Sequence, residues 1–238
     1  MIERDPTRLG TILGVWAHPD DEAYLSAGIM AAAVDAGQRV VCMTATRGEE
    51  GSLDHVRWPP DSLASVREKE LDACLQVLGV TEHSWLDFAD GGCAGVPLDE
   101  AVAPIVSVLD DVCPDTVLTF GPDGMTGHTD HIAVSRWTTE ALVRSRHNAA
   151  RLFYATKTPA WNAAFLAVVD PKRVMMSADE LPWTADADLA LHVALDGDAL
   201  DRKVAALLCQ ESQVAPMVDD YGMETFAPLM RDEFYRAP

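Results

Sequence analysis

The chain has 238 residues, 48% of them hydrophobic, which suits one compact α/β domain with a full core. No window approaches ~18 uninterrupted apolar residues, so no transmembrane helix is expected. The balance of 38 acidic against 18 basic residues gives a formal net charge of −20. Such a surface repels phosphate backbones and anionic lipid, which argues against nucleic-acid and membrane partners and favours a neutral or cationic small molecule, or a metal ion.

The opening stretch, "MIERDPTRLG", is charged and has no apolar signal core, so a cytoplasmic protein is the expectation. "TILGVWA" (Thr11 to Ala17) reads as a short buried strand. A helix-like apolar pattern follows and stops at Gly37, a C-cap residue. "RVVCMTAT" (Arg39 to Thr46) is the next strand, and "TRGEEGSLDHVRWPPD" after it is irregular. Ser62 to Leu78 has amphipathic helical spacing, with Asp61 or Ser62 as cap and Gly79 as stop. A strand over "EHSWLDF", a loop over "ADGGCAGVP" and a helix from Leu98 to Val112 come next. "DTVLTF" (Asp115 to Phe120) is a strand, "GPDGMTG" a loop, and Asp130 to Arg146 a helix. A strand "RLFYATK", a helix "WNAAFLAVV", a strand "LALHVAL" and a last helix "DALDRKVAALLCQ" complete the series.

This β-α alternation predicts an α/β, Rossmann-like, mainly parallel sheet with helices on both faces. Residues 1–238 read as a single domain, with the irregular stretch at about 159–188 as a small peripheral lobe. The five cysteines, Cys42, Cys74, Cys93, Cys113 and Cys209, are scattered and odd in number, with no Cys-x-x-Cys. They read as small buried apolar residues in a reducing compartment, so any metal must use histidine and carboxylate ligands.

Ligands of open α/β sheets bind outside the carboxyl ends of the strands. The first strand ends in "HPDDE", placing His18, Asp20, Asp21 and Glu22 there. His18 and Asp21 stand three apart across a turn into a helix, a spacing that brings an imidazole and a carboxylate to one point. A helix cap at Asp20 or Asp21, with Glu22 complementing the dipole, explains part of this pattern. Two adjacent aspartates after His-Pro exceed what a cap requires, yet a metal needs a third protein ligand. "GPDGMTGHTDH" (Gly121 to His131) supplies a candidate after another strand. Its glycines permit tight turns, and one of His128 and His131 would bind metal while the other faces substrate. Glu49, Asp54, His55, Arg57 and Trp58 lie at a third carboxyl edge and are read as substrate wall, with Trp58 either stacking on a sugar or anchoring its loop. His83, His147, His192, Trp183 and the Met175-Met176 pair read as structural or surface residues.

"AHPDDE" with downstream "GHTDH" resembles the LmbE-like / PIG-L family of metal-dependent deacetylases. That family includes the N-acetylglucosaminyl deacetylases of glycolipid-anchor and low-molecular-weight thiol synthesis. "TRGEEG", "REKELDACLQVLGV", "LDFADGG" and "KVAALLCQESQ" resemble further family motifs in the family's order. The resemblance implies His18, Asp21 and His131 as metal ligands, Asp20 as general base, and His128 as the group that stabilises the oxyanion in protonated form or protonates the leaving amine. It places Arg67 and Asp90 on sugar hydroxyls. The implied activity is zinc-dependent removal of an N-acyl group from an N-acetylglucosamine-type sugar or its glycoside, with Fe2+, Co2+ or Mn2+ also suited to such ligands. Family members are often homo-oligomers, which extends that expectation here by analogy.

Two departures stand out. Members acting in mycothiol synthesis carry Tyr two residues before the first histidine of the second motif, where this chain has Thr126. The family's C-terminal His-x-Ser-Gln has Gln210 in place of the histidine, a change bearing on substrate or packing rather than on metal. A hydrolase of another amide and a non-catalytic metal or sugar binder are the other readings; retained Asp20 and His128 argue against the binder. A dinucleotide-binding module is rejected, because no Gly-x-Gly-x-x-Gly follows the first strand and "HPDDE" would repel a pyrophosphate.

Overall fold

The computed structural model describes residues 2–173 and 181–238. In chain order its elements are β1 (Ile12–Trp16), α1 (Asp21–Asp35), β2 (Val40–Thr44), α2 (Pro60–Leu78), β3 (Glu82–Trp85), α3 (Leu98–Val112) and β4 (Thr116–Phe120). The single turn α4 (Gly124–Gly127), α5 (Thr129–Arg144), β5 (Arg151–Thr156), α6 (Pro159–Leu166) and β6 (Leu189–Ala194) follow. The last four are α7 (Gly197–Leu208), α8 (Glu211–Tyr221), α9 (Met223–Leu229) and β7 (Asp232–Arg236).

The apolar runs form strands because every residue of β1, β2 and β4 is buried, as in a sheet covered on both faces. The seven strands stand in the order β3-β2-β1-β4-β5-β7-β6. Neighbours from β3 to β5 are parallel, with Gly14 of β1 opposite Cys42 of β2 and Leu118 of β4. Only β7 is antiparallel to its neighbours β5 and β6. Right-handed crossovers from β1 to β2 to β3 put α1 and α2 on one face; the connections through β4 to β5 run the other way and put α3 and α5 on the other. The observed packing of α1, α2 and α7 together, and of α3 against α5, follows this division.

The chain does not end its regular structure with α7, as the sequence pattern predicts; α8, α9 and β7 follow. Pro216, Gly222 and Pro228 interrupt the apolar spacing of α8 and α9, and β7 ("DEFYR") buries a glutamate, so neither shows a clean period. Helix α2 starts at Pro60, with Asp61 and Ser62 inside its first turn rather than capping it. Within the stretch expected as a lobe, Phe165 and Val169 join the main core and Thr184 bonds to Lys157 and Thr156, whereas Trp183 is exposed. Met175 and Met176 lie outside the described residues. No helix among the described residues is long and apolar enough to cross a membrane.

Strand order reverses direction between β1 and β4. Their connections leave toward opposite faces, which opens a crevice at their carboxyl ends. Both histidine-bearing loops empty into it.

Candidate active site

The turn from β1 into α1 holds His18 and Asp21 together through its own backbone. Oδ2 of Asp21 accepts from the amides of Ala17 (3.2 Å) and His18 (2.8 Å). The same carboxylate oxygen lies 3.7 Å from His18 Nδ1. Across the crevice, His131 Nε2 stands 3.1 Å from His18 Nδ1 and 3.4 Å from Asp21 Oδ1. Groups bound about 2.1 Å from a tetrahedral ion are separated by about 3.4 Å, close to these distances, although Asp21 meets each histidine with a different oxygen.

The outer nitrogen of each ring sets what the inner one offers. His131 Nδ1 donates to the carbonyl of Gly124 at 2.9 Å, which leaves Nε2 as a bare lone pair. Its ring stacks on Phe120, and burial pushes its pKa down to about 4, so it is neutral. The left-handed turn at Gly124 (φ 69°) makes that carbonyl available, and a Cβ there would meet Ile132 at 2.8 Å. His18 Nε2 lies 3.0 Å from Asp90 Oδ1 and 3.4 Å from Asp130 Oδ2, without the alignment of a hydrogen bond to either. Burial opposes charge on His18, but Asp130, Asp90 and Asp21 outweigh it and lift its pKa to about 10. His18 Nδ1 thus faces His131 Nε2 across the point where a cation would be bound.

Asp20 takes a conformation that L-residues avoid, φ 111° and ψ −30°, a strained backbone of the kind found at functional sites. Its side chain caps nothing. Burial raises its pKa to about 7, with Asp21 adding to the rise and Arg67 opposing it. Arg67 is buried, its Nη2 3.3 Å from Asp20 Oδ2 and donating also to the carbonyl of Pro19, while Nη1 donates to Gly48 at 2.8 Å. Gly48 is required here, since a Cβ would stand 2.1 Å from that guanidinium.

His128 is half-buried at the N-cap of α5, where its Nδ1 accepts from the amide of Asp130 at 3.1 Å. That bond requires an unprotonated Nδ1, and burial followed by the charge of His18 lowers its pKa. The bond commits Nδ1 to the Asp130 amide and leaves Nε2 as the ring nitrogen able to meet a substrate. Ring nitrogens of His18, His128 and His131 lie within 4.8 Å of one another.

Of the residues expected on sugar hydroxyls, Glu49 accepts the Asp90 amide through Oε1 (3.0 Å) and leaves Oε2 buried without a hydrogen-bond partner among the described residues. Asp90 receives the Glu50 amide at 2.9 Å and faces His18; its carboxyl is held down to about 2, because His18 outweighs burial. Arg67 is engaged with the protein's own oxygens. Arg57 covers the ring of Trp58, which is buried as a loop anchor. Asp54, His55, Arg57 and Trp58 line a cavity of about 470 Å³ with residues of α8. Thr126 sits 3.3 Å from His131 Nδ1. His83, His147 and His192 bond to Thr44, Pro114 and Asp232, as structural residues do.

Asp130 escaped the sequence reading, and Glu22 takes a part there that the sequence reading did not give it. Asp130, fully buried, accepts from Gly91 and Cys93 and faces His18. Its position between the two histidines of "HTDH" was the available signal. Glu22, also fully buried in the first turn of α1, accepts the Asp20 amide, and burial lifts its pKa to about 8.

The sequence profile of PIG-L, described as GlcNAc-PI de-N-acetylase, matches residues 13–142, which span both loops of the crevice. The chain belongs to the PIG-L family. Among PIG-L relatives, the 1D-myo-inositol 2-acetamido-2-deoxy-alpha-D-glucopyranoside deacetylase of Mycolicibacterium vanbaalenii is 33% identical over 87% of this chain and 82% of its own length. The protein of the same name from Saccharomonospora viridis is 31% identical, over 94% and 93%. In structure the chain is similar to the N,N'-diacetylchitobiose deacetylase of Pyrococcus horikoshii, with a TM-score of 0.65 at 19% identity, covering 100% of this chain and 87% of that one. This last likeness speaks to the fold of PIG-L proteins.

Proposed function

We propose that this chain is a metal-dependent N-deacetylase that hydrolyses the acetamide of an N-acetylglucosamine-type sugar or its glycoside, with zinc as the working ion. One observation carries the reading: His18 Nδ1, His131 Nε2 and the Asp21 carboxylate converge within 3.1 to 3.7 Å beside the strained, half-buried carboxylate of Asp20. The names of the relatives support the sugar.

The donor set fits a divalent ion, with His18, Asp21 and His131 as its ligands. An ion there would polarise the acyl carbonyl and lower the pKa of a bound water from about 15.7 toward about 7. Asp20 takes the proton from the attacking water as its oxygen bonds to the acyl carbon, help typically worth about 10²–10⁴ in rate. His128 Nε2–H donates to the developing oxyanion. As the C–N bond breaks, the proton held by Asp20 passes to the departing nitrogen, leaving acetate and a free amine. Arg67 keeps Asp20 aimed, Asp90 and Asp130 set negative charge against the outer nitrogen of His18, and the open oxygen of Glu49 receives a sugar hydroxyl.

The test is acetate release from a panel of N-acetylglucosaminides by metal-stripped protein reloaded with Zn2+, Fe2+, Co2+ or Mn2+, with Asp20→Ala in parallel. Turnover that requires metal and collapses in Asp20→Ala supports the proposal. Metal binding without acetate release from any sugar would overturn it in favour of another amide or a binding role.

A further inference from the structure

The corner between α7 and α8 carries three side chains that reach three different parts of the site. Gln213 Nε2 donates to the carbonyl of Gly51 in the loop after β2 (3.1 Å). Ser212 donates its amide and hydroxyl to Glu70 of α2 (2.7 and 2.6 Å). Gln210 Nε2 donates to Glu22 Oε1 at 2.9 Å, and the other oxygen of Glu22 accepts the Asp20 amide at 3.0 Å. Gln210, Ser212 and Glu22 are all fully buried.

Gln210 is not explained by packing stability. Its own carbonyl oxygen, Oε1, is buried with no hydrogen-bond partner among the described residues, and a half-satisfied buried amide costs stability relative to an apolar side chain of the same shape. What the amide does supply is a side-chain donor to a carboxyl group that would otherwise depend on the Asp20 and Glu22 amides and the weak thiol donor of Cys74. The peptide before Asp20 is held from its other side by Arg67, which donates to the Pro19 carbonyl. Asp20 lies between these supports with φ at 111°, a conformation it keeps only if its neighbours over-determine it.

We infer that Gln210 is a positioning residue for the reaction: through Glu22 it holds the Asp20 peptide in its strained conformation and so aims the carboxylate at the water. The inference rests on Asp20 being the base. Its primary readout, exchange of the Asp20 amide hydrogen followed by NMR, does not need activity.

Gln210→Leu and Gln210→Met remove the donor at near-constant volume, while Gln210→His restores a ring N–H. In the leucine and methionine variants the Asp20 amide should exchange at least tenfold faster, and kcat should fall at least tenfold with KM within twofold and metal content unchanged. Gln210→His should recover slow exchange and most of kcat. Slow exchange and full kcat in either apolar variant would overturn the inference. So would a folded Gln210→His as impaired as Gln210→Leu, because packing alone would then explain the loss. If the wild type releases acetate from no sugar while Asp20 exchange still follows Gln210, the positioning link stands and the deacetylase reading falls.

Discussion

At Asp20 the backbone strain, the burial and the neighbouring guanidinium act on one carboxylate. Replacing it with asparagine keeps its size and removes the base. The expected loss is about 10²–10⁴ in kcat with close to one metal ion per chain retained, measured by steady-state kinetics beside metal analysis. Asp20 must be ionised to accept a proton, so activity falls as pH drops through its pKa. Burial, opposed by Arg67, lifts that value to about 7, and an adjoining dication would lower it. The acid limb of kcat/KM should therefore lie at or below pH 7; a limb above pH 8 would assign the base elsewhere. Asp130 acts one shell out, through His18. Asp130→Asn keeps its shape but removes the negative charge that faces that ring, and metal affinity should drop about 10–100-fold in a chelator competition. An unchanged affinity would leave Asp130 with only the Gly91 and Cys93 amides to hold.

At the scale of elements, α1 is tied to the C-terminal segment by a buried polar network. Lys203 of α7 donates to Glu233 of β7 (2.8 Å) and to the Tyr24 carbonyl (2.9 Å). Glu233 accepts the amides of Gly28 and Ile29, and the hydroxyl of Tyr235 donates to the Leu25 carbonyl. These are the backbone groups of two successive turns of α1, so α7 and β7 dock on the helix that begins at the site. Both ends of the ion pair are fully buried. Lys203→Met strands Glu233 as an uncompensated charge and should destabilise the protein by about 3–5 kcal/mol in urea unfolding. Adding Glu233→Gln should recover part of that loss. If the single substitution costs less than about 1 kcal/mol, the pair is not the tie between these elements.

For the whole molecule, the site is assembled from loops after β1, β2, β3 and β4, and from α8 behind them. A ligand that bridges β1 and β4 stabilises the folded chain by RT ln(1 + [L]/Kd), about 2.7 kcal/mol at one hundred times Kd. Stripping the metal should lower the melting temperature, and reloading should restore it in proportion to the logarithm of metal concentration. His131→Ala should abolish that dependence. A melting curve indifferent to metal would place the ion, if any, on a site already formed in the unfolded chain.

Much of this was legible before any coordinates. Six of the seven strands were expected, β1, β2 and β4 as short apolar runs whose burial is recorded in local hydropathy, and the two site loops announce themselves because their functional groups are contiguous or three residues apart. The order of strands, with the β1 and β4 loops at the reversal, was not legible, because alternation predicts a parallel sheet without saying which strands are neighbours. The rest depends on partners far away in the chain. β7 was hidden because its buried glutamate is neutralised by Lys203, 30 residues away, and Gln210 meets Glu22 across a separation of 188. No local period encodes such pairings. Likewise, that His128 Nδ1 accepts from the Asp130 amide, that Arg67 turns to backbone carbonyls and that Asp130 stands behind His18 are outcomes of which groups meet once the chain is closed. Composition and spacing determined which chemistry was present; tertiary structure decided which atom of each group faces it.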